Sequence, residues 1–245
     1  MGNPKLIAMI PARIGSTRLK MKNLALINGR PMISYAIQAA QNADVFDRII
    51  LNSDHDLFRH IAERNGIEFY ARPEQLGSST TKSDDVVADF IDSYPCEAVA
   101  WVNTTSPLQP SEEIAQVVNH FWHEGFDSLI TVKDEQVHCM YKGRPVNFDR
   151  DGLFAQTQDL TPVQPFVYSV MMWRTKPFME AYRAHGHAFF CGKTGTYPVS
   201  KLSSVIIKRE VDLMLADYIL RTLERQQRVG IQYDPLVEKM EPRNG

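Results

Sequence analysis

The residues best suited to chemistry lie close together, directly behind the first apolar run. Residues 10–23 read IPARIGSTRLKMKN. The stretch holds Arg13, Arg18, Lys20 and Lys22, the hydroxyls of Ser16 and Thr17, Gly15, the amide of Asn23, and no acid. Guanidinium and ammonium groups make charge-assisted bonds to anionic oxygens, and a glycine lets backbone N–H groups approach a phosphate closely. A triphosphate, with about four negative charges, matches a cluster of this density.

The charge distribution supports a local anion site. Residues 1–43 carry six of the 27 bases, and the first acid of the chain is Asp44, so all 29 acids lie beyond. The net charge of −2 gives no reason to expect nucleic acid or an anionic membrane as a partner. Cys96, Cys139 and Cys191 are far apart and form no CxxC pair, which argues against a disulfide framework or zinc cluster and fits a reducing cytoplasm. The apolar run near the N-terminus is too short for a signal peptide. No stretch reaches the roughly 18 apolar residues of a membrane span, so a soluble cytoplasmic protein is expected.

The elements that must position the basic loop follow from periodicity. Strands are predicted at KLIAMI (5–10), RIILNSD (48–54), IEFYA (67–71), AVAWVN (98–103) and DSLITVK (127–133), with helical segments between them. Pro31 opens one helix, Gly66 ends another, and Ser83 is placed to cap a third. The pattern implies one α/β domain over residues 1–245, Rossmann-like, with a mostly parallel sheet and helices on both faces. Residues 135–166 break it and read as an inserted loop or ribbon. Further strands are predicted at VYSVMMWR and SSVIIK, and further helices at KPFMEAYRAH and from Val211 to Arg225. Ligands of such sheets bind beyond the carboxyl ends of the strands, where the basic loop, NSDHD, ARPEQLGSSTTKSDD and NTTSPLQP would meet.

Two rival motifs fail. Gly-x-Gly-x-x-Gly is absent, which disfavours a dehydrogenase. GKTG (192–195) matches the end of a P-loop, but His187 stands where that pattern needs glycine.

As a set, IPARIGSTRLKMKN, ARPEQL (71–76), Ser83, NTTSPLQP and TQDLTP resemble the signature of CMP-sugar synthetases, the cytidylyltransferases that activate sialic acids and Kdo. The resemblance runs to about Arg174. It implies transfer of CMP from CTP to an acidic 2-keto sugar with release of pyrophosphate, aided by Mg²⁺, in a homodimer formed partly by the 135–166 insertion. Arg13, Arg18 and Lys22 would hold the triphosphate with Gly15 and Ser16, and Arg13 and Lys22 would act in catalysis. Asn23 and Arg72 would read cytosine with help from Ser83. Asn103 would lie near nucleotide and sugar, and Gln158 near the acceptor.

The chain departs from the family pattern in two places. Where the family carries IDID and a further Asp as metal ligands, residues 205–212 read VIIKREVD. Ile206 and Lys208 replace two ligand positions, and Asp212 alone remains. Lys208 is therefore a candidate to supply part of the metal's charge, and the metal ligands stay unassigned. Where an Asn-Gly pair is usual, VYSVMMWR has Ser169 and Val170. These departures keep open a different acidic acceptor, such as a phosphonate, or a nucleotide-binding homologue impaired in catalysis. His138 and Lys142 are weak acceptor-site candidates, and His185 and His187 read as surface residues.

Overall fold

The computed structural model describes residues 5–16 and 18–224. Thr17, a hydroxyl of the basic loop, and the tail from residue 225 lie outside the described residues. In chain order the elements are β1 (Leu6–Ala12), β2 (Leu26–Ile27), β3 (Arg30–Pro31), α1 (Met32–Ala43), β4 (Arg48–Ser53), α2 (Leu57–Asn65), β5 (Glu68–Ala71), α3 (Ser83–Ser93) and β6 (Ala98–Val102). Then follow α4 (Ser111–His123), β7 (Ser128–Val132), β8 (Met140–Tyr141), β9 (Arg144–Pro145), β10 (Phe166–Arg174), α5 (Thr175–His185), β11 (Thr194–Pro198) and α6 (Glu210–Glu224).

Seven strands form one sheet in the order β11-β7-β10-β6-β1-β4-β5. The period of two along β1 divides its side chains between two cores. Leu6, Ala8, Ile10 and Ala12 pack with α1, α2 and α4 through Ile33, Ile37, Phe58, Val117 and Phe121. Ile7 and Met9 face the other way, onto Val87 and Phe90 of α3 and Phe178 of α5. Each fully buried Val, Leu, Ile, Phe or Met among them contributes about 1.5–3 kcal/mol relative to exposure. Helices therefore cover both faces, as the sequence predicts.

From β1 the chain steps to β4 and β5 on one side, then returns through α3 to β6 on the other side of β1. The strand order reverses between β1 and β6, which opens a crevice there. β10 lies between β6 and β7 and runs antiparallel to both, so its first residues reach the edge where the other strands end. That edge carries the loops of interest.

Three sequence expectations are corrected. SSVIIK is not a strand: residues 203–208 are turn and coil, and the N–H of Ile207 bonds the carbonyl of Thr105 (2.9 Å). Ile207 is buried in a small satellite core with Ile27, Met32, Leu108 and Ala216, so its apolar neighbours serve packing and not a ladder. The edge strand is instead β11, TGTYP, whose Gly and Pro weaken the strand signal. Gly195 is required there, because a Cβ would stand 2.3 Å from the Phe126 ring. Lastly, Ser83 is the first residue of α3 and makes no capping bond; Lys82 holds the cap position.

The 135–166 insertion holds the β8–β9 ribbon, a short 3-10 turn at Thr157–Asp159 and a bridge between Glu135 and Val163.

Candidate active site

A cleft of about 260 Å³ opens at the reversal between β1 and β6. Arg13, Ser16, Arg18, Lys22 and Asn23 line it from the loop after β1, Arg72 from the end of β5, Ser83 from α3, and Asn103 from the end of β6. Lys82 adds a further cation at its rim.

Lys22 sits half-buried, its Nζ donating to the carbonyl of Ile207 (3.2 Å). Burial, then the neighbouring Arg18 and Arg13, holds its pKa below the ordinary lysine value. Lys208 adds a weaker like charge, while Asp212 acts in the opposite direction. The 205–209 segment thus touches the cleft on both sides, through Lys22 and through Thr105.

Arg72 is 6% exposed. One guanidinium nitrogen faces Asp54 at 3.6 Å and the carbonyl of Ala12 at 3.4 Å. Among the described residues its Nε–H has no hydrogen-bond partner. Burial lowers the pKa of Arg72, with Asp54 opposing, and a guanidinium keeps its charge regardless. Gly77 lets the chain pass against Asp54, since a Cβ there would lie 2.0 Å from the Asp54 carboxylate.

Two asparagines tie the walls together. Asn23 is buried; its amide donates to the carbonyl of Arg13 (3.3 Å) and accepts from the Thr104 hydroxyl (2.8 Å). That leaves it one N–H and one lone pair. Asn103 donates to the carbonyl of Tyr168 (3.1 Å) and accepts from the N–H and hydroxyl of Thr105 (3.1 and 2.9 Å). Tyr168 has φ +60°, an unfavourable conformation for a bulky residue, at the bulge where β10 shifts register against β7. Asn103 therefore pins a strained turn.

A second cavity, about 510 Å³, adjoins the first and shares Ser83, Trp101 and Asn103 with it. Its other walls are Tyr168, Met171, Phe189 and Phe190. Asp84 of α3 fixes the Phe189 loop by accepting from the N–H groups of Ala188 (2.6 Å) and Phe189 (2.9 Å). Trp173 completes the anchor by donating to the carbonyl of Phe189 (2.9 Å). The sequence signal for this cavity is weak: an aromatic pair in a loop beyond a helix, and one tryptophan in an apolar strand.

Other candidates fall elsewhere. Gly15 is exposed, does not line the cleft, and would accept a Cβ without contact within 4 Å. Gln158 lies in the insertion, bonded to Gln156 and Gln136, and lines neither cavity. His138 stacks on Phe154 in the same insertion (4.0 Å), and Lys142 sits at the ribbon turn with φ +48°. His185 and His187 stand 6.0 Å apart between ring centres. GKTG precedes and enters β11, and the Asp127 carboxylate accepts the N–H of Lys193 there (2.8 Å).

The residues present do not fit a protein-held Mg²⁺. Such an ion needs several oxygen ligands. Among the described residues no group of three or more His, Cys, Asp or Glu could hold a metal. One oxygen of Asp212 is occupied by the N–H groups of Lys208 and Arg209, each at 2.8 Å. Likewise, no helix among the described residues is long and apolar enough to cross a membrane.

Comparison with known proteins agrees with this geometry. N-acylneuraminate cytidylyltransferase of Streptococcus agalactiae serotype III (strain NEM316) is 25% identical over 91% of this chain and 56% of its own length. The enzyme of the same name from Escherichia coli O18:K1:H7 is 34% identical over 46% of this chain and 27% of its own. The chain spans about half the length of the first of these relatives. In fold, it resembles a CMP:2-keto-3-deoxy-manno-octonic acid synthetase complexed with CTP, with TM-score 0.68, 12% identity, and coverage of 89% and 99% of the two chains. A 4-diphosphocytidyl-2C-methyl-D-erythritol synthase from Anaerococcus prevotii shares the fold too, with TM-score 0.62, 15% identity, and coverage of 89% and 98%. The cytidylyltransferase family model matches residues 7–173, from the first strand through the antiparallel strand that closes the crevice, and the chain belongs to that family.

Proposed function

We propose that the protein transfers CMP from CTP to an acidic 2-keto sugar of the sialate or Kdo type, releasing pyrophosphate. The observation that carries this reading is the gathering of Arg13, Arg18, Lys22 and Arg72 in one cleft at the strand-order reversal. Arg13, Arg18 and Lys22 take the triphosphate, with Ser16 as a further donor. The buried Nε–H of Arg72, unpartnered among the described residues, is a donor for the cytosine O2 or N3, and Asn23 and Ser83 complete base reading.

The acceptor hydroxyl attacks the α-phosphorus as the bond from that phosphorus to the α–β bridging oxygen breaks; pyrophosphate leaves with the bonding pair, and the hydroxyl proton passes to it or to water. Charge grows on the departing pyrophosphate, and cations fixed in advance stabilise it without reorganising. Lys22 suits this role because burial and two arginines already disfavour its charge. An incoming anion relieves that repulsion, so binding is drawn to this point. Asn103, held between the cleft and the β10 bulge, aligns the acceptor side.

The relatives' names, N-acylneuraminate cytidylyltransferase and CMP:2-keto-3-deoxy-manno-octonic acid synthetase, favour a sugar-acid acceptor. The three free cysteines suit the cytoplasm. A homodimer through the insertion is supported by the exposed side chains of Met140, Tyr141, Val146, Leu153 and Phe154.

Pyrophosphate release from CTP, with N-acetylneuraminate and with Kdo, in Mg²⁺ and in EDTA, tests the reading. Release that requires one of these acids is expected. Absence of CTP binding by calorimetry overturns the reading, while CTP binding without release under any condition identifies a nucleotide-binding homologue. Full release in EDTA supports a charge-replacing role for Lys208.

A further inference from the structure

Trp101 occupies the wall common to the two cavities, between Met9 of β1 and Met171 of β10 in the sheet register. Its indole nitrogen is buried and, among the described residues, has no hydrogen-bond partner. The other core tryptophan does not share this condition, since Trp173 donates to the carbonyl of Phe189. Leaving a buried donor unpaired is costly, so one that persists beside a cavity is suited to an oxygen brought by a ligand.

The surroundings narrow what that ligand group is. Asn103 gives one N–H to Tyr168 and accepts twice from Thr105, which leaves it a single N–H. The Trp101 N–H, the Ser83 hydroxyl and the second N–H of Asn103 are thus the side-chain polar groups of the shared wall without a protein partner among the described residues. Among the described residues the second cavity has no formally charged side chain in its lining, which includes Tyr168, Met171, Phe189 and Phe190. A carboxylate or phosphate would be desolvated there without a counter-charge. A neutral oxygen flanked by apolar atoms fits, while the acid group lies toward the cationic cleft.

We infer that Trp101 is a specificity-determining residue for the acceptor: its indole N–H donates to a neutral oxygen of the sugar acid, whose apolar face lies against Phe189 and Phe190. This rests on the proposed cytidylyltransfer and adds how the acceptor is chosen.

The test uses the full chain with ¹⁵N-labelled indoles. The three tryptophans give three indole signals, and Trp101→Phe removes one and assigns it. Titration with N-acetylneuraminate is expected to move the Trp101 proton downfield, with a smaller response to CTP. In turnover, Trp101→Phe is expected to raise the acceptor KM about tenfold and leave the CTP KM unchanged. Phe190→Ala alters an exposed side chain and serves if Trp101→Phe fails to fold; it is expected to raise the acceptor KM several-fold with the CTP KM constant. A Trp101 signal that ignores the sugar acid, or that answers CTP alone, overturns the inference. Lack of CTP binding by calorimetry, with the Trp101 signal still answering the sugar acid, instead overturns the transfer reaction and leaves the contact standing.

Discussion

Lys22 and Arg72 in the cleft are held by carbonyls and a carboxylate before any ligand arrives, whereas Tyr168, Phe189 and Phe190 wall a cavity whose lining, among the described residues, has no formal charge. The two cavities share Ser83, Trp101 and Asn103, yet they meet opposite solvation problems. The cleft concentrates cations that repel one another and so favours a polyanion strongly. On the proposed transfer, the pocket offers the acceptor shape and a few neutral donors without contributing much charge stabilisation. On that reading, affinity for the nucleotide and selection among acceptors are separated by chemistry.

Variants can break that division. The largest effect is expected from Lys22→Met, which removes a cation from the path of the departing charge. kcat should fall about 10²–10³-fold with the acceptor KM unchanged, measured by pyrophosphate release. If acceptor KM changes instead, the division fails. Arg72→Met should raise the CTP KM by roughly ten- to a hundredfold, and it also leaves the buried Asp54 carboxylate without its partner, so Tm should drop. Arg72→Lys restores charge but not the fork, and should recover only part of the affinity.

A pH series sharpens the comparison further. The pKa of Lys22 is lowered in the unliganded protein by burial and by Arg18 and Arg13, and a triphosphate restores it upward. The complex therefore holds more protons than the separate partners between the two values. CTP affinity should be full below the unliganded pKa and weaken as pH rises through it, with proton uptake on binding. Calorimetry in buffers of different ionisation enthalpy measures this. Lys22→Met should abolish the dependence. Ser83→Ala should do least: Ser83 makes no capping bond, so stability should change by under about 0.5 kcal/mol, against about 1 kcal/mol for a true cap.

The cleft was far more legible in the sequence than the pocket, and the reason is physical. A polyphosphate site is built from contiguous loop residues of one charge sign, so Arg13 to Asn23 stand out in a single reading. Asn23 shows the limit of that reading, because spacing does not reveal that its amide also clamps Arg13 to Thr104. The pocket is assembled from the inward side of β6, the start of β10 and the loop after α5, which are remote in sequence and ordinary in composition. Asp84 illustrates the same loss. Its place in the first turn of α3 suggests a helix-dipole role, but its carboxylate holds the Phe189 loop in place. Among the elements, SSVIIK misled because β-branched alternation serves a small satellite core as readily as a strand, and TGTYP hid because tight packing at Gly195 removed the usual β signal.

The antiparallel course of β10 has a consequence beyond placing one strained tyrosine. Every other strand of the sheet delivers its end to the ligand edge, while β10 delivers its beginning. The residues that wall the aromatic cavity therefore come largely from a stretch that follows the loops lining the cationic cleft. On the proposed transfer, a lineage could exchange Tyr168, Phe189 and Phe190 and inherit a new acceptor while the grip on CTP passed down unchanged.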